Sequence, residues 1–445
     1  MAERLVSTNE ERATAFGYPE PPQPDKYSKC VHCGFCLEVC PTYQQSSDEN
    51  HSPRGRVYLI KQAALGDIPL DEAVIDPVMT CLDCRACESV CPSGVEVGNL
   101  IEHARGQIYA WQTEHGRLNH VQQFTLRHLF PYPKRLRWAG KFLRFYHRSG
   151  LRSLAHKTQI TKLLPQHLRD YEDILPTPSS PTLTTWPTVT SPQTAPKGRV
   201  GLLTGCVMDA LMSPINEATI RVVAHNGWEV VMPAQQVCCG ALHVHAGDRL
   251  TARSLARTNI RAFLEADVDY VITNSAGCGA AMKEYPDLFE ELPEEEYDLA
   301  TQFANKVQDV SEFLVETGFE PPKHSISGAV TYHDACHLCH AQKIRQQPRH
   351  LIQSIPGIQF EEMPNADRCC GSAGIYNLTH PDMAGKLLDQ KVADIPPDVD
   401  TVVLGNPGCL LQIKAGLNKQ QRHVKVVHTV ELLDLAYQQE SGLES

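Results

Sequence analysis

Four cysteines fall within eleven positions in the stretch KCVHCGFCLEVCP at residues 29–41, and the pattern returns in TCLDCRACESVCP at residues 80–92. Both stretches have the form C-x2-C-x2-C-x3-C-P. Three thiolates at this spacing can wrap one corner of a cubane iron–sulfur cluster, while the fourth points away. Structural zinc is the alternative, but zinc sites usually pair two C-x2-C units across a gap. The spacing therefore indicates iron–sulfur clusters.

The two motifs are expected to complete each other's sites. In two-cluster ferredoxins of this spacing, the fourth cysteine of each motif ligates the other cluster. We predict two [4Fe–4S] clusters, held close together as a one-electron relay requires. The ligand sets are Cys30, Cys33, Cys36 and Cys91 for the first cluster and Cys40, Cys81, Cys84 and Cys87 for the second. Arg54 and Arg56 could offset the negative charge of a cluster, or could be surface residues at a helix start.

A tandem repeat in the C-terminal half holds most of the other cysteines. Each copy has one cysteine, an adjacent pair followed by glycine, and one more, and equivalent cysteines lie 130 or 131 residues apart. The candidate residues are Cys206, Cys238, Cys239 and Cys278 in the first copy and Cys336, Cys369, Cys370 and Cys409 in the second. An adjacent pair does not suit a simple tetrahedral zinc site. Cluster or metal binding, redox-active thiols and structural cysteines all stay open.

One cysteine and several histidines lie outside these patterns. Cys339 stands in HDACHLCH, a stretch that could bind zinc with Cys336, and GALHVHAG could form a second polar site. The histidines of the two stretches are His333, His337, His340, His243 and His245. Histidines beside a cofactor more often form hydrogen bonds around it or face a quinone.

The residues around these cysteines predict the elements that must position them. The β-branched runs RVGLL, WEVVM, DYVIT, AVTYH and TVVLG alternate with helical stretches, and most repeat cysteines follow a strand. Sites in open α/β sheets gather at such strand ends. The stretch SPRGRVYLIKQAALGDI indicates a helix. We predict an α+β multidomain protein, with an N-terminal helical ferredoxin domain and then a tandem-repeat α/β cysteine-rich domain.

Length and composition divide the chain further. A chain of 445 residues suggests two or three domains, and residues 176–196 hold six Pro and ten Ser/Thr without a charge. The predicted segments are a ferredoxin domain at 1–115, a basic helical segment at 116–172, a linker at 173–197 and two repeats at 198–325 and 326–445. Seventeen cysteines without a secretory signal favour the cytoplasm over a disulfide framework.

Positive charge is concentrated in one segment. Residues 117–169 contain twelve Lys/Arg and no Asp/Glu, although the whole chain has a net charge of −11. Basic helices with aromatic residues are typical of membrane surfaces, so peripheral binding to the cytoplasmic face of the inner membrane is one interpretation. Docking against an acidic surface, such as residues 284–298 or a partner subunit, is the other. Nucleic acid is not expected, because no base-reading motif accompanies the charge. We expect one helical face to carry Leu136, Phe142, Leu143 and Tyr146.

The whole chain resembles the iron–sulfur subunits of bacterial glycolate oxidase (glycolate dehydrogenase). The resemblance lies in KCVHCGFCLEVCPTY, SPRGRVYLIK, CLDCRACESVCPSGV, GLLTGCVM and DRCCGSAGIYNLTHPDMAGKLLDQK. It implies a complex in which FAD-containing subunits oxidise glycolate to glyoxylate and this chain passes electrons to a quinone or another membrane acceptor. FAD is expected only on the partner, because no nucleotide-binding glycine motif follows a predicted strand here. No catalytic residue is expected in this chain.

Related complexes leave alternatives for the substrate and for the repeats. Similar subunits serve D-lactate, L-lactate and glycerol-3-phosphate oxidation. The CCG repeats also resemble the cysteine-rich repeats of heterodisulfide reductases, in some of which a repeat binds a non-cubane [4Fe–4S] cluster through a further C-x2-C. Here NSAGCG and NPGCL each supply one terminal cysteine. Further clusters at the repeats, a thiol-redox enzyme and a zinc-organised scaffold therefore stay open.

Overall fold

The fold comes from a computed structural model that describes residues 14–158 and 186–440. The chain forms two compact units, one made of Met1–Leu118 with Val244–Asp248 and the other of Asn119–His243 with Arg249–Ser445. Residues 159–172 of the basic segment and 173–185 of the predicted linker lie outside the described residues. The predicted mixture of a helical first part and an α/β second part is confirmed.

The first unit is built from helices around an apolar core. Its helices are α1 Pro24–Tyr27, α2 Pro41–Ser46, α3 Pro53–Ala64, α4 Glu72–Met79, α5 Ala86–Ser89 and α6 Val97–Glu114. Ile60 on α3, Val74 on α4 and Leu100 on α6 are fully buried in this core. Ser52 caps α3 by accepting a hydrogen bond from Gly55 N, and a proline takes the first helical position. The proline of the first cysteine motif acts likewise, because Cys40 is the N-cap of α2 and Pro41 begins it.

Two sheets lie in the second unit. Their strands are β1 Val189–Thr190, β2 Arg199–Leu202, β3 Glu229–Val231, β4 Tyr270–Thr273, β5 Val307–Asp309, β6 Gly328–His333, β7 Ile358–Phe360, β8 Thr401–Leu404 and β9 Lys425–His428. The orders are β1-β3-β2-β4-β5 and β7-β6-β8-β9. All neighbours pair in parallel except β1, which comes from the Pro/Ser/Thr segment and pairs antiparallel with β3.

The two repeat copies have the same strand order. Leaving β1 aside, the second strand of each copy lies at one edge, followed by the first, third and fourth. Cys206, the Cys238–Cys239 pair and Cys278 follow β2, β3 and β4, and their counterparts follow β6, β7 and β8. The carboxyl ends of parallel strands meet at one edge of a sheet. Each copy therefore gathers its four candidate cysteines at the same edge.

The chain also forms helices beyond the first unit. After Leu118 they are α7 His120–His128, α8 Pro133–Arg148, α9 Leu151–Lys157, α10 Val207–Leu211, α11 Ser213–His225, α12 Ala241–Ala246, α13 Arg249–Glu265, α14 Ala276–Lys283, α15 Glu294–Ala304, α16 Val310–Glu316, α17 Gln346–Gln353, α18 Tyr376–Thr379, α19 Pro381–Ala393, α20 Pro407–Lys419 and α21 Thr429–Glu440. Among the described residues, no helix is long and apolar enough to cross a membrane.

Helix α8 packs against α10 through a small residue. A Cβ added at Gly140 would lie 2.6 Å from the Ala210 carbonyl oxygen, and Arg137 Nε lies 2.6 Å from Asp209 Oδ2. Leu136 is therefore buried, whereas Phe142 is 72% exposed. The expectation that Leu136 and Phe142 share one face is wrong, because the close contact at Gly140 turns Phe142 outward.

Candidate iron–sulfur and cysteine-rich sites

The eight N-terminal cysteines line two cavities of the first unit. Cys30, Cys33, Cys36 and Cys91 line the first. Cys40, Cys81, Cys84 and Cys87 line the second, and Cys87 also borders the first. Apart from Cys87, which borders both, each cysteine lines the cavity of its predicted set. Which cysteine ligates which cluster stays a prediction.

The two motif loops turn in the same way. His32 and Gly34 have positive φ angles of 56° and 92°, and Asp83 and Arg85, 51 residues further on, have 53° and 62°. Non-glycine residues rarely adopt this left-handed conformation. It bends each loop back on itself, which brings its first three cysteines to one cavity.

Burial disfavours free thiolates in these cavities. It raises the pKa of Cys36, Cys81 and Cys87 above that of an ordinary thiol, and at Cys87 the neighbouring Cys84 adds to the effect. A cation must therefore accompany the thiolates, and metal binding supplies one as the protons leave. The donor set, four thiols at each cavity, fits a [4Fe–4S] cluster.

Arg56 supplies fixed positive charge to the second cavity. Its side chain is 1% exposed and donates hydrogen bonds to the Pro77 carbonyl at 2.6 Å, to Thr42 Oγ1 at 2.9 Å and to Cys40 Sγ at 3.8 Å. Burial lowers the pKa of Arg56, but Cys81 and Cys40 outweigh it and raise the pKa. Arg56 is therefore placed to offset negative charge at the cysteines and is not a surface residue. Arg54 borders the first cavity and pairs with Glu49 at 2.6 Å.

A buried ion-pair network adjoins the second cavity within the first unit. Arg85 Nε lies 3.0 Å from Asp83 Oδ1, and its Nη2 lies 2.9 Å from Glu102 Oε1. His245 Nδ1 lies 3.2 Å from Asp83 Oδ2. A Cβ at Gly98 would lie 1.8 Å from Arg85 Nε, so glycine makes room for the guanidinium. The network fixes the loop that carries Cys81 and Cys84.

The four cysteines of the first repeat copy form a row of contacts in the second unit. Cys238 is hydrogen-bonded to Cys206 and to Cys239, and Cys239 to Cys278. The thiols of Cys206 and Cys239 hold the pKa of Cys238 well below its usual range, and the pKa of each donor is raised well above it. One buried thiolate between two thiols can ligate a metal or attack a disulfide.

His243 was noted in the sequence and lies beside this row. It is fully buried, its Nε2 lies 2.7 Å from the Leu126 carbonyl oxygen, and it hydrogen-bonds Cys238, which further favours that thiolate. Its role is therefore a hydrogen-bonding one beside the cysteines. His245, two residues on, belongs to the other unit's network.

The second copy brings three cysteines together and adds a histidine. Cys369 donates a hydrogen bond to Cys370, which lowers the pKa of Cys370, but the Cys409 contact and burial outweigh it and raise the pKa. One ligand atom of His333 lies within 4.8 Å of those of Cys370 and Cys409. Cys336 contacts His337 Nδ1, at 3.5 Å.

The glycine of each CCG unit turns the chain behind the cysteine pair. Gly240 and Gly371 have φ angles of 88° and 84°. A Cβ at Gly371 would lie 2.7 Å from the Ala384 carbonyl oxygen on α19, and one at Gly240 would lie 3.4 Å from Ala252 Cα on α13. Only glycine suits the conformation and the close approach of a helix.

Lys391 is a charged residue that sequence reasoning missed. It is fully buried on α19, and its Nζ donates to the carbonyl oxygens of Asn365 at 2.7 Å and Ala366 at 3.1 Å. Burial lowers its pKa, while Asp394, Cys370 and Cys369 act in the opposite direction. It places a cation near the cysteine pair. Nothing marks it in the sequence, because one lysine in an amphipathic helix is ordinarily on the surface.

Family models match the chain in three places. Residues 26–95 match a 4Fe–4S dicluster domain, residues 118–175 match the linker region of the glycolate oxidase iron–sulfur subunit, and residues 200–283 and 330–414 each match a cysteine-rich domain. The prediction of two [4Fe–4S] clusters followed by two cysteine-rich repeats is thereby confirmed.

Full-length relatives agree with these matches. The chain is 42% identical over 412 residues to the probable glycolate oxidase iron–sulfur subunit of Bacillus subtilis, covering 91% of this chain and 92% of the relative. It is 32% identical over 428 residues to the glycolate oxidase iron–sulfur subunit of Escherichia coli, covering 92% and 94%. It is also 31% identical over 422 residues to a subunit of the fumarate reductase (CoM/CoB) of Methanothermobacter marburgensis, covering 93% and 73%. The chain therefore belongs to the family of glycolate oxidase iron–sulfur subunits.

Proposed function

We propose that this chain is the electron-transfer subunit of a glycolate dehydrogenase complex. FAD-containing partner subunits oxidise glycolate to glyoxylate, which releases two electrons and two protons, and the electrons leave through this chain to a quinone or another membrane acceptor. The observation that carries the proposal is the pair of cysteine-lined cavities, which share Cys87 as a common wall. Two [4Fe–4S] clusters so held supply one-electron transfer steps.

We propose the crossed ligand sets for these clusters. The lining of the two cavities supports Cys30, Cys33, Cys36 and Cys91 for one cluster and Cys40, Cys81, Cys84 and Cys87 for the other. The residues around them orient the thiolates and balance charge. Arg56 offsets negative charge at Cys40, and Arg85 anchors the Asp83 loop.

We propose that the chain meets its membrane acceptor through helix α8, which lies against anionic lipid. Trp138, Phe142 and Phe145 recur every three or four residues on α8 and are 73%, 72% and 60% exposed. Lys134 and Lys141 flank this aromatic stripe, and Lys141 Nζ lies 5.4 Å from the centre of the Trp138 ring. Aromatic rings with a basic rim suit the headgroup region of a bilayer. This arrangement favours lipid, because a bilayer surface can take up the rings and the lysines together.

A second candidate function is thiol–disulfide chemistry at the first repeat copy. The hydrogen-bonded row of Cys206, Cys238 and Cys239 favours it, and so does the similarity to a fumarate reductase subunit named for CoM and CoB. In that case the protein would reduce a disulfide substrate to two thiols with two electrons and two protons from an added reductant, without a flavoprotein. Lactate or glycerol-3-phosphate as the partner's substrate would leave the role of this chain unchanged.

The test is anaerobic purification together with the FAD subunits. The complex should carry at least about eight iron atoms per chain, four for each cluster. Cys36→Ala, which offers no replacement ligand, should abolish glycolate-to-quinone electron transfer while glycolate still reduces the partner's FAD. Cys339→Ala, a buried cysteine outside both predicted sets, is the matched control and should keep the activity. Quinone reduction that survives Cys36→Ala would show that the relay role is wrong.

A further inference from the structure

The end of strand β6 carries a histidine with no ordinary structural role. His333 is fully buried, and among the described residues neither ring nitrogen has a hydrogen-bond partner. The Ala366 backbone approaches the ring, but no hydrogen bond of normal geometry joins it to either ring nitrogen. Buried polar groups are normally hydrogen-bonded, because leaving one unpaired costs its hydration. An imidazole kept in this state needs another kind of partner.

Two thiols supply the remaining donors. One ligand atom each of His333, Cys370 and Cys409 lies within 4.8 Å of the other two, and all three residues are buried. Around one tetrahedral zinc ion, with Zn–S of about 2.3 Å and Zn–N of about 2.0 Å, donor atoms stand roughly 3.5–3.8 Å apart. A cubane cluster places a separate iron under each cysteine, so its thiolates must stand farther apart. The spacing here suits a single ion.

The surroundings of the triad also suit a metal ion. Asn406 Nδ2 donates to Cys409 Sγ at 3.4 Å, and Cys369 donates to Cys370, so both thiolates have a hydrogen bond. Two thiolates and an imidazole form a donor set that zinc prefers, with one tetrahedral position left for a small ligand.

The first copy lacks this donor set. His333 stands three residues before Cys336, and the residue three before Cys206 is Leu203. His243 lies beside Cys238 in the first copy, and Gly374 stands at the matching place, four residues after the cysteine pair, in the second. The copies share a fold but differ in the groups around their cysteines.

We propose that the second repeat copy holds a single zinc ion on His333, Cys370 and Cys409, whereas the first copy does not form this site. The site lies outside the two N-terminal cavities, and its existence does not depend on the electron-transfer role. It assigns a ligand role to His333 and separates the chemistry of the two copies.

The test is metal analysis of the full chain with zinc K-edge absorption, which is blind to iron. The wild-type chain should bind one zinc ion with two sulfur ligands and at least one nitrogen ligand. His333→Leu, which places in the second copy the residue found in the first, should weaken zinc binding at least roughly 100-fold. Cys206→Ser, the control in the first copy, should leave the zinc content and spectrum unchanged. If zinc had instead displaced iron from the N-terminal cavities, Cys36→Ala would lower the zinc content and His333→Leu would not.

A further variant distinguishes the loss of a zinc ligand from misfolding. His333→Cys should retain zinc and change its coordination to three sulfur ligands. The proposal is overturned if the wild-type chain, stripped with a chelator and supplied with zinc, binds none outside the N-terminal cavities. Retention of an unchanged zinc spectrum in His333→Leu, or iron at these cysteines in the native protein, would overturn it equally.

Discussion

Buried charges at single residues set the electrostatics of both units. Arg56 in the first unit and Lys391 in the second are almost completely buried, and each lies near cysteine sulfur. Their guanidinium and ammonium groups donate to backbone carbonyls, which repays part of the cost of desolvation. A fixed cation stabilises thiolates and the added electron of a reduced cluster, because both are negative.

Loss of the Arg56 charge should make reduction of the nearby cluster harder. We expect Arg56→Gln to lower the midpoint potential of one of the two [4Fe–4S] clusters, because the buried positive charge beside Cys40 is lost. Arg56→Lys keeps the charge and should lie closer to the wild type. A redox titration followed by electron paramagnetic resonance measures both. Equal shifts in the charged and neutral variants would show that packing, not charge, is responsible.

Asp309 should make the second unit less stable as the pH rises. It caps α16 by accepting from Ser311 N, but among the described residues its Oδ2 has no hydrogen bond, and burial raises its pKa to about 6. Since the ordinary value is 3.8, the folded chain binds the proton more tightly. Stability therefore falls as the pH rises from about 4 to about 6, by up to roughly 3 kcal/mol.

The variant Asp309→Asn keeps an N-cap and removes the ionisation. Its free energy of unfolding should exceed that of the wild type by most of this amount at pH 8 and by about half of it at pH 5. Thermal unfolding of the second unit at the two pH values measures the difference. An advantage that does not change with pH would contradict the buried carboxylate as its cause.

Helix α8 shows how one element can serve two surfaces. Its Leu136 and Gly140 face α10, and its aromatic stripe, Trp138, Phe142 and Phe145, faces outward. Alternation of charge and aromatic residues suggested a membrane or partner surface from the sequence. It could not show which residues face outward, because that depends on the contact between Gly140 and Ala210.

Removal of the aromatic stripe should release the protein from anionic membranes. The variant W138S/F142S/F145S should bind vesicles of phosphatidylglycerol and phosphatidylcholine at least roughly 100-fold more weakly. Each of the three rings, once inserted in the membrane, contributes about 1.5–3 kcal/mol to the binding free energy. Leu299→Ser, which removes a 47% exposed residue from the acidic helix α15, is the control and should bind as the wild type does. Cosedimentation at low and high salt measures the binding. Unchanged binding by the triple variant would instead favour docking of this helix on protein.

At the scale of the whole molecule, cysteine spacing predicted more of the site than of the surrounding architecture. The repeat and its strand runs predicted that cysteines follow strands, and both sheets have that arrangement. The Pro/Ser/Thr segment was expected to contain no packed element, yet Val189 and Thr190 form an edge strand. Local composition cannot show this, because the partner β3 lies about 40 residues away in the sequence.

Side-chain grouping was predictable only where it is local in sequence. The first three cysteines of each N-terminal set follow from a fixed local spacing, whereas His333 meets Cys370 and Cys409 across two parallel-strand connections. The sequence suggested that Cys336 binds zinc together with the histidines and Cys339 of HDACHLCH, because all of them lie in one short stretch. In the folded chain, His333 is the last residue of β6, and its side chain reaches the cysteines that follow β7 and β8.

Slowing electron transfer in this chain should leave the partner's substrate kinetics intact. Glycolate reduces FAD before electrons reach this subunit, so kcat/KM for glycolate reports only the earlier half-reaction. In Arg56→Gln, kcat with quinone should fall several-fold and KM for glycolate should fall by the same factor, leaving kcat/KM constant. Different 2-hydroxy acids should then approach one common kcat, because a shared later step limits turnover. A changed kcat/KM for glycolate would mean that this chain shapes the substrate site, which the assignment of substrate oxidation to the FAD subunits does not allow.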